Sequence, residues 1–385
     1  MSELITTAPA LSDFLAEAME ADRYALDTEF HREKTFYPKV ALVQMAVGDR
    51  VVLIDPLVVD LIALVPLLNG PGVCVVHAAA QDLEVLHRSC HTLPNKIFDT
   101  QIAAGFLGMA SASLASLLAK YEGIQLAKGD RLTDWLRRPL SDDQLKYAAS
   151  DVEYLLTTAA QLSKELELRG RTGWVEDECE RMLETAIVQR TPEQSLRRIK
   201  EARALKGKAL AIALELVRWR DERAATIDVP VRNVLSDIAL VGIAQRAPKT
   251  EKALKEIRGV DGRHTSSTVT PMILAAVVAG TNADPPVPLR RGTNEMDRSL
   301  RPVVSLVTAW VSQVARNVDL DPAVLATRTD VESFLTDGVA SRLDNGWRGD
   351  IIGAPISALV SGKAALAFDG NGGLSLERRS GEPLT

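Results

Sequence analysis

Four acids suited to holding a hard cation, Asp27, Glu29, Asp82 and Asp151, and one phenol, Tyr147, are the side chains whose types and spacing could do chemistry. Asp27 and Glu29 stand two apart in YALDTEFHRE, a run that otherwise reads as a half-apolar strand. Strand side chains alternate faces, so the two carboxylates point the same way, ~6–7 Å apart along the chain. Like charges ~4 Å apart repel by about 4 kcal/mol at an effective dielectric near 20, so such a face calls for a partner. Asp82 lies in VVHAAAQDLEVL, where an apolar strand gives way to a helix. Tyr147 precedes Asp151 by four residues in DDQLKYAASDVEYLL, about one helical turn, which puts the phenol and the carboxylate on one face.

Taken singly, each position has a plainer explanation. Asp82 can cap its helix. Asp27 and Glu29 can face solvent from an edge strand, Tyr147 can be a core ring, and Asp151 an ordinary surface acid. The plain explanations fail together, because four converging acids without cations repel strongly. Convergence implies a divalent metal such as Mg²⁺, which takes oxygen ligands from carboxylates, waters and substrate phosphates.

The elements that must position these groups follow from the hydrophobic pattern. RYALDTEF, VALVQMAVG and VVLID are three β-rich runs in close succession, a meander; VCVVHA is a fourth strand and KIFDT a fifth. A helix through DLEVLHRSC lies between the last two, and helical periodicity dominates from Gln101 on. This order predicts an α/β fold with a mixed sheet covered by helices. From about Arg190 the β signal vanishes. GKALAIALELVRWRDERAATI is an amphipathic helix ending near Asp228-Val229-Pro230, and Gly259 stops a later one. TNADPPVPLRRGTNEMD reads as the clearest linker, a second helical unit follows from about Leu300 to Phe368, and the tail from 369 reads as loose.

The chain has 385 residues, 46% of them hydrophobic and 25% charged, which suits a soluble globular protein of two or three domains. The acidic start lacks a basic segment before an apolar one, and the longest apolar region is cut by Asp55, Pro56, Asp60 and Pro66. Neither a secretory signal nor a spanning helix is expected. Cys74, Cys90 and Cys179 make no paired framework, which predicts a reducing, cytoplasmic setting. The net charge of −6 is unevenly spread: residues 1–189 balance at −11, residues 190–290 at +7 and residues 291–385 at −2. An acidic region followed by a basic one suggests chemistry in the first and polyanion contact in the second, unless the +7 is merely that of solvated helix faces.

Other positions weigh less. His87 and His91 flank Cys90 at helical spacing, but no further Cys or His lies nearby to complete a zinc site. His77 ends an apolar strand beside the acids and reads as a satisfied buried histidine ahead of a catalytic one. Arg32 and Lys34, just after the first acidic pair, are equally well read as phosphate contacts or as surface charge.

Asp27-Thr28-Glu29, Asp82, and Tyr147 with Asp151 resemble the three motifs of the DEDD exonuclease superfamily, in its tyrosine-bearing branch. The histidine branch needs His five residues before the last acid, where this chain has Lys146. YALDTEF followed by TFYPKVALVQMAV, then VVHAAAQDLEVL, IFDTQIAAGFLG and LTDWLRRPLSDDQLKYAASDVEYLL resemble segments of the ribonuclease D family in order, across residues 20–165. ALELVRWRDERAATIDVPVRNVLSDIALVGIAQRAPKTEKALKEIRGV is similar to the helical HRDC domain shared with certain helicases; residues 300–368 match a second copy only loosely.

The resemblance implies a ribonuclease H-like mixed sheet flanked by helices, followed by one or two small all-α domains. Its divisions are an exonuclease domain over 1–189, an HRDC-like domain over 190–285, a diverged second copy over 297–368 and a tail over 369–385. It implies a 3′–5′ exoribonuclease that releases nucleoside 5′-monophosphates by a two-metal mechanism with Mg²⁺ or Mn²⁺. Asp27 then bridges both ions, Glu29 and Asp151 hold the ion that activates water, Asp82 supports the second, and Tyr147 orients the water. The implied partner is RNA, such as tRNA precursors or other structured RNA with single-stranded 3′ ends, acted on by a monomer away from membranes. A DNA 3′–5′ exonuclease and a non-catalytic RNA-binding scaffold are the alternatives. On this division, a chain cut after about Arg190 is expected to lose RNA affinity and keep cleavage.

Overall fold

Strand β3, Lys39–Val47, is apolar along nearly its whole length because both of its faces are covered: from Ala41 to Val47 every residue is buried. The computed structural model describes residues 2–125, 133–187, 190–284, 298–337 and 342–379. Around β3 runs a six-stranded sheet of β1 (Glu3–Ile5), β2 (Arg23–His31), β3, β4 (Arg50–Ile54), β5 (Val73–Val76) and β6 (Ile97–Asp99). The spatial order is β1-β4-β3-β2-β5-β6. The β3–β4 pair is antiparallel, whereas β1–β4, β2–β5 and β5–β6 are parallel, so the sheet is mixed as the pattern predicts. The three-residue β1 is too short to show alternation and is not read from sequence.

The contacts gather the chain into two compact units. The first consists of residues 1–30, 40–187 and 296–385, the second of residues 31–39 and 188–295. In the first unit the sheet core, with Phe14, Tyr24, Ile54 and Phe106, continues without a break into Val304, Val307, Leu325, Trp347 and Ile356. Trp347 stacks on Trp174 with centroids 5.0 Å apart and meets Phe106 edge-on at 5.1 Å. Beside this stack, buried Glu178 receives hydrogen bonds from Arg348, Arg342 and Arg181.

Two expectations for the C-terminal part are corrected here. The β signal does not end at Arg190: Ala364–Phe368 (β7) and Leu374–Arg378 (β8) form an antiparallel hairpin. Its turn places Gly370 and Gly372 at positive φ, where glycine alone carries no steric cost. The stretch from 369 is therefore not uniformly a loose tail.

The second unit is helical. Helices Gly207–Thr226 and Val269–Asn282 cross closely, since a Cβ on Gly280 would lie 2.4 Å from the Ile212 Cα. Leu196, Leu216, Leu240, Leu254 and Ile273 fill the core between these helices and their neighbours. The expected linker over 281–297 falls mostly outside the described residues.

Candidate active site

The site begins at the C-terminal part of β2. Leu26 and Thr28 are buried while Asp27 and Glu29 are partly open, the alternation that a strand imposes. Strand β5 runs parallel to β2, with Tyr24 opposite Cys74 and Ala25 opposite Val75, and its end delivers the chain to His77, Ala78 and Ala79. Ala78 takes a left-handed backbone (φ 57°) as the chain turns into helix Ala80–Cys90. Asp82 sits in the first turn of that helix, buried, and Thr28 Oγ1 donates to its Oδ1 at 2.5 Å. Asp82 is thus not the helix's own cap; the helix has no side-chain cap, and the carboxylate is turned to β2.

The strained turn is braced from below. The Asp99 carboxylate accepts from the N–H groups of Ala78 and Ala79 at 3.1 and 2.9 Å. It also accepts from Gln101 and Ile102, capping helix Thr100–Gly105. Thr100 Oγ1 donates to the Val76 carbonyl at 3.1 Å and contacts His77 Nδ1 at 2.9 Å. With its proton committed to the carbonyl, the hydroxyl accepts from His77, which fixes the Nδ1–H tautomer. Burial pushes the His77 pKa down, so the ring is neutral near pH 7. The expected satisfied, buried histidine is satisfied by this bond but only half-buried.

Tyr147 and Asp151 come from helix Asp142–Glu153, which opens with a Ser141–Gln144 capping box. Arg138 anchors the approach to this helix. Its guanidinium grips both Asp55 oxygens at 2.5 and 2.7 Å and donates to the carbonyls of Ala41 and Trp135. Tyr147 packs its ring against Trp135, centroids 6.1 Å apart.

Electrostatics show which groups converge. The Asp27 carboxyl is held well above the usual carboxylate range, first by burial and then by the charges of Asp82, Asp151 and Glu29. Asp27 keeps part of its surface open to solvent, yet protein packs densely around the carboxyl. Asp82 is raised as well, mainly by burial, against the lowering effect of the Thr28 hydrogen bond. Three strand and helix elements therefore bring all four predicted acids to one place. Among the described residues, no three Asp, Glu, His or Cys side chains form a finished metal cage. The donor set itself fits a hard divalent cation: all oxygen, anionic, and raised in energy by mutual repulsion that a cation would relieve. The possible zinc cluster is not formed. Cys90 is buried and donates to the Leu61 carbonyl, and His91 caps its helix in a left-handed conformation.

Thr28, Asp99 and Thr100 are missed by sequence reasoning. Thr28 is only the middle letter of D-T-E, and KIFDT reads as a strand; nothing in it says that Asp99 caps the next helix and braces a second turn.

Fold and site together define a 3′–5′ exonuclease: residues 2–167 match the family model described as "3'-5' exonuclease", and residues 209–277 match the HRDC domain. Over 374 residues the chain is 33% identical to ribonuclease D of Bartonella henselae, covering 94% of this chain and 91% of that one. Ribonuclease D of Nitrobacter hamburgensis is 34% identical over 381 residues, with 98% and 100% covered. The crystal structure of Escherichia coli RNase D, described as an exoribonuclease involved in structured RNA processing, superposes with a TM-score of 0.83 at 30% identity. That match covers 94% of this chain and 99% of the other. The chain belongs to the ribonuclease D family, and its activity is that of a 3′–5′ exoribonuclease. No described helix is long and apolar enough to cross a membrane.

Proposed function

We propose that this chain shortens RNA from the 3′ end to nucleoside 5′-monophosphates at the Asp27 site, in the maturation of tRNA or other structured RNA. The observation that carries the reading is the convergence on Asp27 of the charges of Asp82, Asp151 and Glu29. These four carboxylates are the residues that would hold two divalent ions, Mg²⁺ or Mn²⁺. Ions so held supply charge neutralisation and a lowered water pKa for in-line displacement.

The chain's own residues do the rest. Asp27 and Glu29 are fixed by the strand, Asp82 by the Thr28 hydroxyl, and Asp151 by a helix whose start Arg138 pins to Asp55. Tyr147, one turn before Asp151, orients the attacking water through its hydroxyl. The basic helical unit, +7 over residues 190–290, binds the phosphate backbone of the RNA. The structured-RNA role follows the E. coli relative. Three cysteines, all free and buried, suit a reducing cytoplasm, and we propose a monomer there.

The test is hydrolysis of matched single-stranded RNA and DNA with Mg²⁺, Mn²⁺ or EDTA, with product identification. Nucleoside 5′-monophosphates from RNA, lost in EDTA, are expected. Preferential attack on DNA, or turnover in excess EDTA, would overturn the proposal.

A further inference from the structure

Residues 31–39 belong by covalent linkage to the strand that carries Asp27 and Glu29, and by packing to the helical second unit. Phe36 follows Glu29 by seven residues, which bounds the two at about 25 Å even for a fully extended chain. Within the second unit one carboxylate fastens this segment. Asp228 Oδ1 accepts from the consecutive N–H groups of Phe36 and Tyr37, both at 3.1 Å. Thr35 Oγ1 donates to the Tyr37 carbonyl at 2.6 Å, and Arg232 donates to the Glu33 carbonyl at 3.4 Å.

Asp228 occupies an unusual place for its type. Helix Gly207–Thr226 closes with the Val229 N–H donating to the Ala224 carbonyl, the long bond of a Schellman ending, and Asp228 takes the left-handed position (φ 48°). Glycine is the usual occupant there, since it meets no Cβ penalty. An aspartate accepts that penalty while supplying a side chain, and here the side chain is spent on the distant segment.

The segment so fixed presents chemistry for single-stranded RNA. Arg32 and Lys34 are exposed cations, and the rings of Phe36 and Tyr37 are half-buried with centroids 4.8 Å apart. Cations track phosphates, and aromatic rings stack bases with little regard to sequence. We propose that residues 32–37 contact the RNA strand being degraded, and that Asp228 is a positioning residue which holds them in binding form. The inference rests on the exonuclease reading above and adds to it how the helical unit bears on the substrate. Holding the segment in place before binding spares the entropy of ordering it on the RNA.

The test uses the full chain and a fluorescein-labelled single-stranded oligouridylate. Its affinity is measured by anisotropy in EDTA, and cleavage is measured in single turnover at saturating RNA with Mg²⁺. Asp228→Gly keeps the left-handed backbone and removes the acceptor; Asp228→Asn keeps both. Asp228→Gly is expected to bind about tenfold more weakly, with its saturated cleavage rate within about twofold of wild type. Asp228→Asn should bind as wild type does. The double variant Phe36→Ala/Tyr37→Ala, which removes the rings and leaves the clasp, should also bind more weakly. Wild-type affinity in Asp228→Gly or in the double variant overturns the proposal, as does equal weakness of Asp228→Asn and Asp228→Gly. A wild type that binds but cleaves no RNA with Mg²⁺ or Mn²⁺ instead overturns the exonuclease reading, while the affinity comparison still judges the clasp.

Discussion

Glu178 and Arg348 form a buried ion pair between residues 170 positions apart in the chain. Burial pushes the Glu178 carboxyl up, but the guanidinium groups of Arg348, Arg342 and Arg181 outweigh it and hold the pKa below the usual range. Burial likewise lowers Arg348 to about 10, which leaves it charged at neutral pH. The pair joins the helix Thr172–Ala186 to the C-terminal segment that shares its core.

Removing one partner of a buried pair costs about 3–5 kcal/mol, since it strands the other charge. Glu178→Gln is therefore expected to lower the stability of the first unit by that order at pH 7. Because the folded pKa is depressed, the contribution is fully present above the ordinary carboxylate value. It is lost as pH falls through the lower, folded value. Chemical denaturation of both proteins from pH 7 down to about 3 should show the difference closing on the acid side. A constant difference across that range would mean that Glu178 acts by packing.

Asp27→Asn should abolish hydrolysis and leave the fold intact. Thermal unfolding gives a second readout that does not depend on turnover. Asp27 is pushed up by burial and by three like charges, so its ionised form is a load on the metal-free fold. The variant is expected to melt no lower than wild type in EDTA, and to lose most of the Tm rise that Mg²⁺ gives the wild type. Equal Mg²⁺-induced shifts in both proteins would remove Asp27 from the metal site.

Tyr147→Phe keeps the ring that packs on Trp135 and deletes only the hydroxyl. Loss of a group that orients water should lower kcat by about 10²–10⁴-fold, with KM nearly unchanged. Single-turnover cleavage at saturating Mg²⁺ checks this. A loss below about threefold leaves Tyr147 as a packing residue.

Truncation should fail where the charge pattern suggests that it should succeed. A chain ending near Arg190 lacks Trp347, Arg348 and the Val304–Ile356 part of the shared core. It exposes Trp174 and Phe106 and leaves Glu178 with Arg181 alone. Such a fragment is expected to be largely unfolded by near-ultraviolet circular dichroism and inactive for that reason. The shared core thus argues against the expectation that cleavage survives the cut; a folded, active fragment would uphold that expectation.

The site was more legible than the fold around it. A two-residue spacing on a strand and a four-residue spacing on a helix are short-range facts, so Asp27 with Glu29 and Tyr147 with Asp151 could be paired by counting. Asp82 was legible as a strand-end acid, but its Thr28 partner lies 54 residues away. Nothing local distinguishes an acid that caps a helix from one turned to a neighbouring strand. The hairpin of β7 and β8 was missed because both strands are half-exposed and the DGNGG between them reads equally as a disordered tail. The packing of Val304, Leu325, Trp347 and Ile356 into the sheet core is a tertiary choice: amphipathic helices state that one face is buried, and leave the partner unnamed.

The stack of Trp347 on Trp174 also sets the order in which the nascent chain can fold. Residues 188–295, a contiguous stretch with a core of its own apart from the short clasped segment, can form while the rest is being made. The unit that carries Asp27, Glu29, Asp82 and Asp151 cannot complete its core until residues 304–356 have left the ribosome. At ~5–20 residues per second, the 170 residues from Glu178 to Arg348 take roughly 10–35 s to appear. Throughout that interval Phe106, Trp174 and Glu178 lack their covering partners. The exonuclease unit thus closes only when segments 170 residues apart have both been made, with the helical stretch lying between them in the chain.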